Sequence, residues 1–165
     1  FALRWRAIGG FPIDDTWTTL SSVAFALAFL WAWVARYTGH PGTGGIVLGL
    51  CFLLQLSASA FVSYAPPVRP PQQGLFPLLH IGTSVIAASA LVLSGIHGAL
   101  YLIVFRRLRQ RRFGSVLEHL PDLDLLARMT RRSALAGFLF STVGLNLGIA
   151  LAHARGVQGF DYLDP

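Results

Sequence analysis

The stretch "FPLLHIGTSVIAASALVLSGIHGALYLIVFRRLRQRR", residues 76–112, decides the fold. Between Phe76 and Phe105 it holds no Asp, Glu, Lys or Arg. A helix crossing the hydrocarbon core needs about 20 consecutive apolar residues, and this run exceeds that. Lipid offers no partner for backbone N–H and C=O groups, so such a run is expected to be helical. Arg106, Arg107, Arg109, Arg111 and Arg112 close its far end. Two histidines interrupt the apolar pattern, His80 at the mouth and His97 in the middle.

Working outward, three further runs are long enough to span, giving segments at about 17–36, 44–64, 76–105 and 133–154. The period-2 pattern of a membrane barrel is absent. The chain is 54% hydrophobic and 12% charged, against about 25% charged for soluble domains. The expected fold is all-α: a polytopic membrane helix bundle with four transmembrane helices, one membrane domain over residues 1–165. The chain reads as a piece of a longer protein and the bundle as part of a larger one. Cys51 is the single cysteine and lies inside an apolar run, which excludes a disulfide framework or a cysteine metal site.

The connections carry the topology. "RYTGHPGTGG", residues 36–45, is turn-rich, and "APPVRPPQQG", residues 65–74, is too proline-rich for a helix. The third connection, 106–132, collects eight arginines. Its centre, "VLEHLPDLDLLARM", is amphipathic, and Pro121 is placed to start a short helix there. With Arg36, nine arginines fall on one side; Arg4, Arg6, Arg69 and Arg155 fall on the other. The positive-inside rule therefore predicts a cytoplasmic 106–132 loop in a bacterial inner membrane. Contact with nucleic acid is not expected, since the arginines are accounted for by topology and anionic lipid.

Small residues mark helix packing. Gly144 and Gly148 form a GxxxG within "GFLFSTVGLNLG", residues 137–148, which permits close backbone approach. Asn146 between them is expected to hydrogen-bond across helices.

An ionisable group within a span is a functional candidate. Haem suits a histidine in an apolar helical pocket, because imidazole binds its iron axially. Zinc wants three or four N, O or S ligands together, and the spans hold no carboxylate. His80 and His97 are about 25 Å apart along the helix and about 100° apart around it, so they cannot share one iron. His80 and His153 lie at one depth if the helices are neighbours, which allows a bis-His haem at the outer surface. The alternatives are packing for His97 and, from position alone, for His80, and a plain interfacial role for His153.

The order of features resembles the cytochrome c assembly family of CcsA and HemX-like proteins. "RWRAIGGFPIDDTWTTLSSVAFALAFLWAW" is similar to that family's entry into a span. "LLHIGTSVIAASALVLSGIHGALYL" resembles its helix opening with Leu-x-His. "LPDLDLLARMTRRSALAGFLFSTVGLNLGIALA" resembles its next block, and "YLDP" stands where the family has Trp-Asp-Pro. The resemblance implies a bundle that handles haem at the extracytoplasmic face, with His80 as axial ligand to the iron of a haem b. It also implies an outer rim shaped by Asp164 with Phe160 and Tyr162, and Trp17 on the same face. The family's tryptophan-rich loop is replaced by "RGVQGFDYLDP", a departure that favours the HemX-like branch.

Three functions follow as expectations. The first is a non-enzymatic, haem-handling membrane protein of cytochrome c assembly, working with other assembly proteins. The second is a membrane cytochrome b-like electron carrier ligated by His80 and His153. The third is a cofactor-free accessory subunit of a larger membrane complex. No Ser-His-Asp set, phosphate loop or acidic pair within a span points to catalysis.

Overall fold

The computed structural model describes residues 16–61, 74–111 and 120–154. These form four helices: α1 (Thr16–Thr38), α2 (Gly44–Phe61), α3 (Leu75–Arg109) and α4 (Leu123–Ala154). There is no strand among the described residues. All four helices are long and apolar enough to cross a membrane. Large apolar side chains such as Phe25, Phe29, Phe52, Phe138 and Leu145 are exposed on their outer faces, as suits a bundle whose solvent is lipid. The protein is a multi-pass helical membrane protein, in agreement with the sequence.

Local chemistry sets the helix ends. Gly39 follows α1 in the left-handed region, φ 71°, and its N–H donates to the Ala35 carbonyl at 2.9 Å. Glycine takes that conformation without a Cβ clash. The α1–α2 turn is pinned by Trp31, whose Nε1–H donates to Thr43 Oγ1 at 3.2 Å. The indole lies over Gly44, where any Cβ would stand 2.5 Å from Trp31 Cζ2. At the start of α3, Pro77 sits in the first turn, where its missing N–H costs no helical bond.

The amphipathic segment after Pro121 is not a separate short helix. It is the first turns of α4 itself. Asp122 caps this helix by accepting the Leu125 N–H at 2.6 Å. Leu126, Met129 and Ser133 are buried, as are Gly137 and Gly144 further along. One inward stripe thus runs through both halves, and nothing in the sequence interrupts it. The loop expected at 106–132 is shorter to match, since α3 runs to Arg109 and α4 begins at Leu123.

α3 and α4 pack antiparallel along a seam of small residues. Each step down α3 meets a step up α4. Gly98 lies against Thr130, Leu91 against Gly137, Ser84 against Gly144 and His80 against Gly148. Ser94 Oγ donates to the Thr130 carbonyl at 2.9 Å within this seam. α1 and α2 form a second hairpin. It joins α3 through a cluster of Leu27, Val47, Cys51 and Leu93. Ser89 Oγ adds a hydrogen bond to the Val23 carbonyl at 3.2 Å. α3 is therefore the shared wall, with α1 and α4 both leaning on it.

The alternation of helix direction creates two ends. The starts of α1 and α3 and the ends of α2 and α4 share one end, which carries His80 and His153. The other carries Arg36, Arg106, Arg107, Arg109, Arg128, Arg131 and Arg132.

Candidate functional site

The histidine end of the α3–α4 seam holds the candidate site. His80 lies in the second turn of α3 and is half-buried. Its Nδ1 is 2.7 Å from the Gly144 carbonyl oxygen of α4. A carbonyl only accepts, so Nδ1 carries the proton. In the neutral ring that leaves Nε2 with the lone pair. An imidazole whose one nitrogen donates to a backbone carbonyl while the other is unprotonated is the form that binds metals.

The two glycines of the GxxxG build the seat. A Cβ at Gly148 would stand 2.8 Å from His80 Cε1 and 3.2 Å from Nδ1. At Gly144 it would stand 2.9 Å from Ser84 Oγ and 3.2 Å from Thr83 Oγ1. Bare backbone is therefore what lets the ring lie on α4 and reach its carbonyl. Thr83 turns its hydroxyl back to the Leu79 and His80 carbonyls, at 2.7 and 3.0 Å. The sequence held both halves of this arrangement. The family resemblance implied His80 as a candidate ligand and the spacing marked the glycines as packing, but the hydrogen bond joining them depends on the register of two helices, which no local pattern encodes.

The other expected site residues are placed as follows. His153 shares the histidine end but is exposed, and its Nδ1–H donates to the Ile149 carbonyl of its own helix at 2.9 Å. It lies five residues beyond Gly148, about 140° around the helix from the face that carries His80. The pairing of His80 with His153 on one iron is thus not assembled. Trp17 is at the same end, stacked on Phe61 of α2 with ring centroids 4.9 Å apart. It ties the α1–α2 hairpin together. Phe160, Tyr162 and Asp164 lie outside the described residues. Asn146 was expected to reach another helix. Instead its Nδ2–H donates to the Thr142 carbonyl of α4 at 2.7 Å, on an exposed face.

His97 is the opposite of His80. It is 0% exposed, and neither ring nitrogen has a hydrogen-bond partner among the described residues. No three His, Cys, Asp or Glu side chains gather among the described residues. Among the described residues, the chemistry on offer in the α3–α4 seam is therefore one imidazole, His80, oriented by the neighbouring helix at the mouth of an apolar bundle. That fits an iron carried in its own macrocycle, which needs only axial ligands from protein.

Fold and site together define a multi-pass helical membrane protein with an oriented histidine at one face. The comparisons with known proteins make the class specific. The family model of the cytochrome C assembly protein matches residues 16–158, and the chain belongs to that family. It is similar to the cytochrome c biogenesis protein CcsA of Chlamydomonas reinhardtii, 23% identical over 158 residues, covering 92% of this chain and 44% of that protein. It is also similar to the CcsA of Heterosigma akashiwo strain NIES-293, 22% identical over 131 residues, covering 77% of this chain and 41% of that protein. The chain spans less than half the length of these curated relatives. No solved structure matches.

Proposed function

We propose that this chain is the haem-binding part of a cytochrome c biogenesis protein, with His80 as an axial ligand through Nε2. The observation that carries the reading is the 2.7 Å hydrogen bond from His80 Nδ1–H to the Gly144 carbonyl. It fixes the ring plane and the tautomer and leaves the metal-binding nitrogen unprotonated. Membership of the cytochrome c assembly family supplies the context. Haem b is the form proposed, a haem held without a covalent link to the protein.

In this reading the protein binds and positions haem and does not itself turn over a substrate. Haem supplies an iron that accepts nitrogen ligands on both faces. This chain's own residues would hold it: His80 would bind the iron through Nε2, the Gly144 carbonyl keeps the proton on Nδ1, and Gly148 leaves room for the ring. His80 lies at the extracytoplasmic face, as the arginines at the opposite end support under the positive-inside rule. The membrane is the bacterial inner membrane. The absence of tryptophan from residues 155–165 favours the HemX-like branch.

The test is the absorption spectrum of the full-length protein purified in detergent and titrated with haem, beside His80→Ala. The expected result is a Soret band in the parent that is lost or shifted in the variant, with partial recovery when free imidazole is added. A parent that stays colourless with added haem would sink the proposal, and an unchanged spectrum in the variant would remove His80 from it.

A further inference from the structure

The arginine end contains a feature that the haem reading does not use. α1 and α4 both lean on α3 but scarcely touch each other, so a cleft of about 290 Å³ opens between the last turns of α1 and the first turns of α4. Val34 and Met129 line it, with Trp33 and Tyr37 on the α1 side and Arg128 and Arg132 on the α4 side. The surfaces are divided by chemistry. α1 contributes the rings, one turn apart and largely exposed at 66% and 75%. α4 contributes two guanidinium groups, also one turn apart. Arg128 pairs with Asp124 one turn back, whereas Arg132 has no partner among the described residues.

Three properties specify the occupant. The apolar lining wants hydrocarbon. A guanidinium with no acidic partner among the described residues wants an oxyanion, which arginine can bind through two parallel N–H groups. Tryptophan and tyrosine belong at the level of the lipid headgroups. The volume lies at the lower limit of small-molecule sites, roughly 300–1,000 Å³, so it suits a headgroup and the first part of a chain better than a macrocycle.

We propose that this cleft is a binding site for one anionic phospholipid, its phosphate held by Arg132 with Arg128 and its upper acyl carbons along Val34, Met129 and the Trp33 ring. The site is distinct from His80, at the opposite end of the bundle, and does not depend on haem binding. Its consequence is that lipid fills the gap between the α1–α2 hairpin and α4 where helix contacts do not.

The experiment is native mass spectrometry of the full-length protein, delipidated and titrated with phosphatidylglycerol or phosphatidylcholine in the same detergent. The parent should retain one phosphatidylglycerol about 30-fold more tightly than phosphatidylcholine, as two basic contacts to an anionic lipid imply. The double variant R128Q/R132Q should lose that preference. R131Q removes the same charge from the same turn outside the cleft and should keep it. Circular dichroism and melting of each variant show that the helices remain folded. Equal retention of the two lipids by the parent overturns the proposal. Equal losses in R131Q and R132Q single variants overturn it too, because they reduce the effect to diffuse surface charge. Competition of haem with phosphatidylglycerol for the cleft would make haem the occupant and end the lipid assignment.

Discussion

His80 and His97 stand on one helix and have the same side chain, yet the bundle treats them in opposite ways. His80 is half-buried at the mouth and tied by one nitrogen to a neighbouring backbone. His97 is sealed in the middle with both nitrogens unpartnered among the described residues. The contrast teaches that depth in the membrane is a poor guide to ligand function. A useful ligand needs one nitrogen committed and the other reachable. A buried ring with neither committed carries a desolvation penalty of about 1–3 kcal/mol and gives no route to an incoming group.

The strongest attempt to break the contrast is to exchange the roles. His80→Ala is expected to weaken haem binding by more than about 100-fold, since loss of a ligand's supporting hydrogen bond alone costs about 10–100-fold. His97→Leu should leave the haem titration unchanged, and a loss as large as that of His80→Ala would reverse the assignment.

A more graded test acts on the seat. Gly148→Ala places a methyl 2.8 Å from His80 Cε1, so the ring must move off its bond to Gly144. Haem affinity is expected to fall about tenfold, with helix content retained by circular dichroism. Gly137→Ala is the matched control in the same seam. Its Cβ would stand 2.7 Å from Leu91 Cδ2, away from the histidine. Overpacking of this kind costs about 1–3 kcal/mol. It should lower the melting temperature and leave the residual haem affinity near that of the parent. If both glycine variants act alike on haem, the seat has no special relation to His80.

The smallest effects concern stability alone. His97→Leu removes two unpaired polar atoms and is expected to raise stability by up to about 2 kcal/mol, read in a detergent melt. Trp31→Phe removes the bond to Thr43 Oγ1 and should cost about 1 kcal/mol. Equal melting shifts of the same sign for both would mean that His97 has partners the contrast denies it.

Much of this arrangement was legible beforehand. Four spans, alternating direction and an arginine-rich end all follow from apolar run length and charge, which are properties of single segments. His80 stands out as an imidazole at the mouth of a charge-free run, and it is the family resemblance that makes it the favoured candidate ligand. The parts that were not legible belong to pairs of helices. The Gly144 carbonyl is the acceptor for His80 only because α3 and α4 cross in one register. Asn146 turned back onto Thr142 because its position falls away from that seam. His153 shares a depth with His80 but not a face, and depth was all that the sequence offered. The extension of α4 to Leu123 escaped notice because Arg128, Arg131 and Arg132 mark a membrane boundary, which is easily mistaken for a helix boundary.

The acceptor that orients His80 has a genetic consequence. It is a main-chain oxygen, so no codon change removes it. An alanine scan along α4 would exchange side chains one by one and never delete the group that accepts the His80 proton. Positions 144 and 148 would register only as intolerance of bulk, indistinguishable in such a scan from ordinary close packing. The histidine's orientation is thereby insulated from drift at every position of α4 except those where a larger side chain pushes the two helices apart.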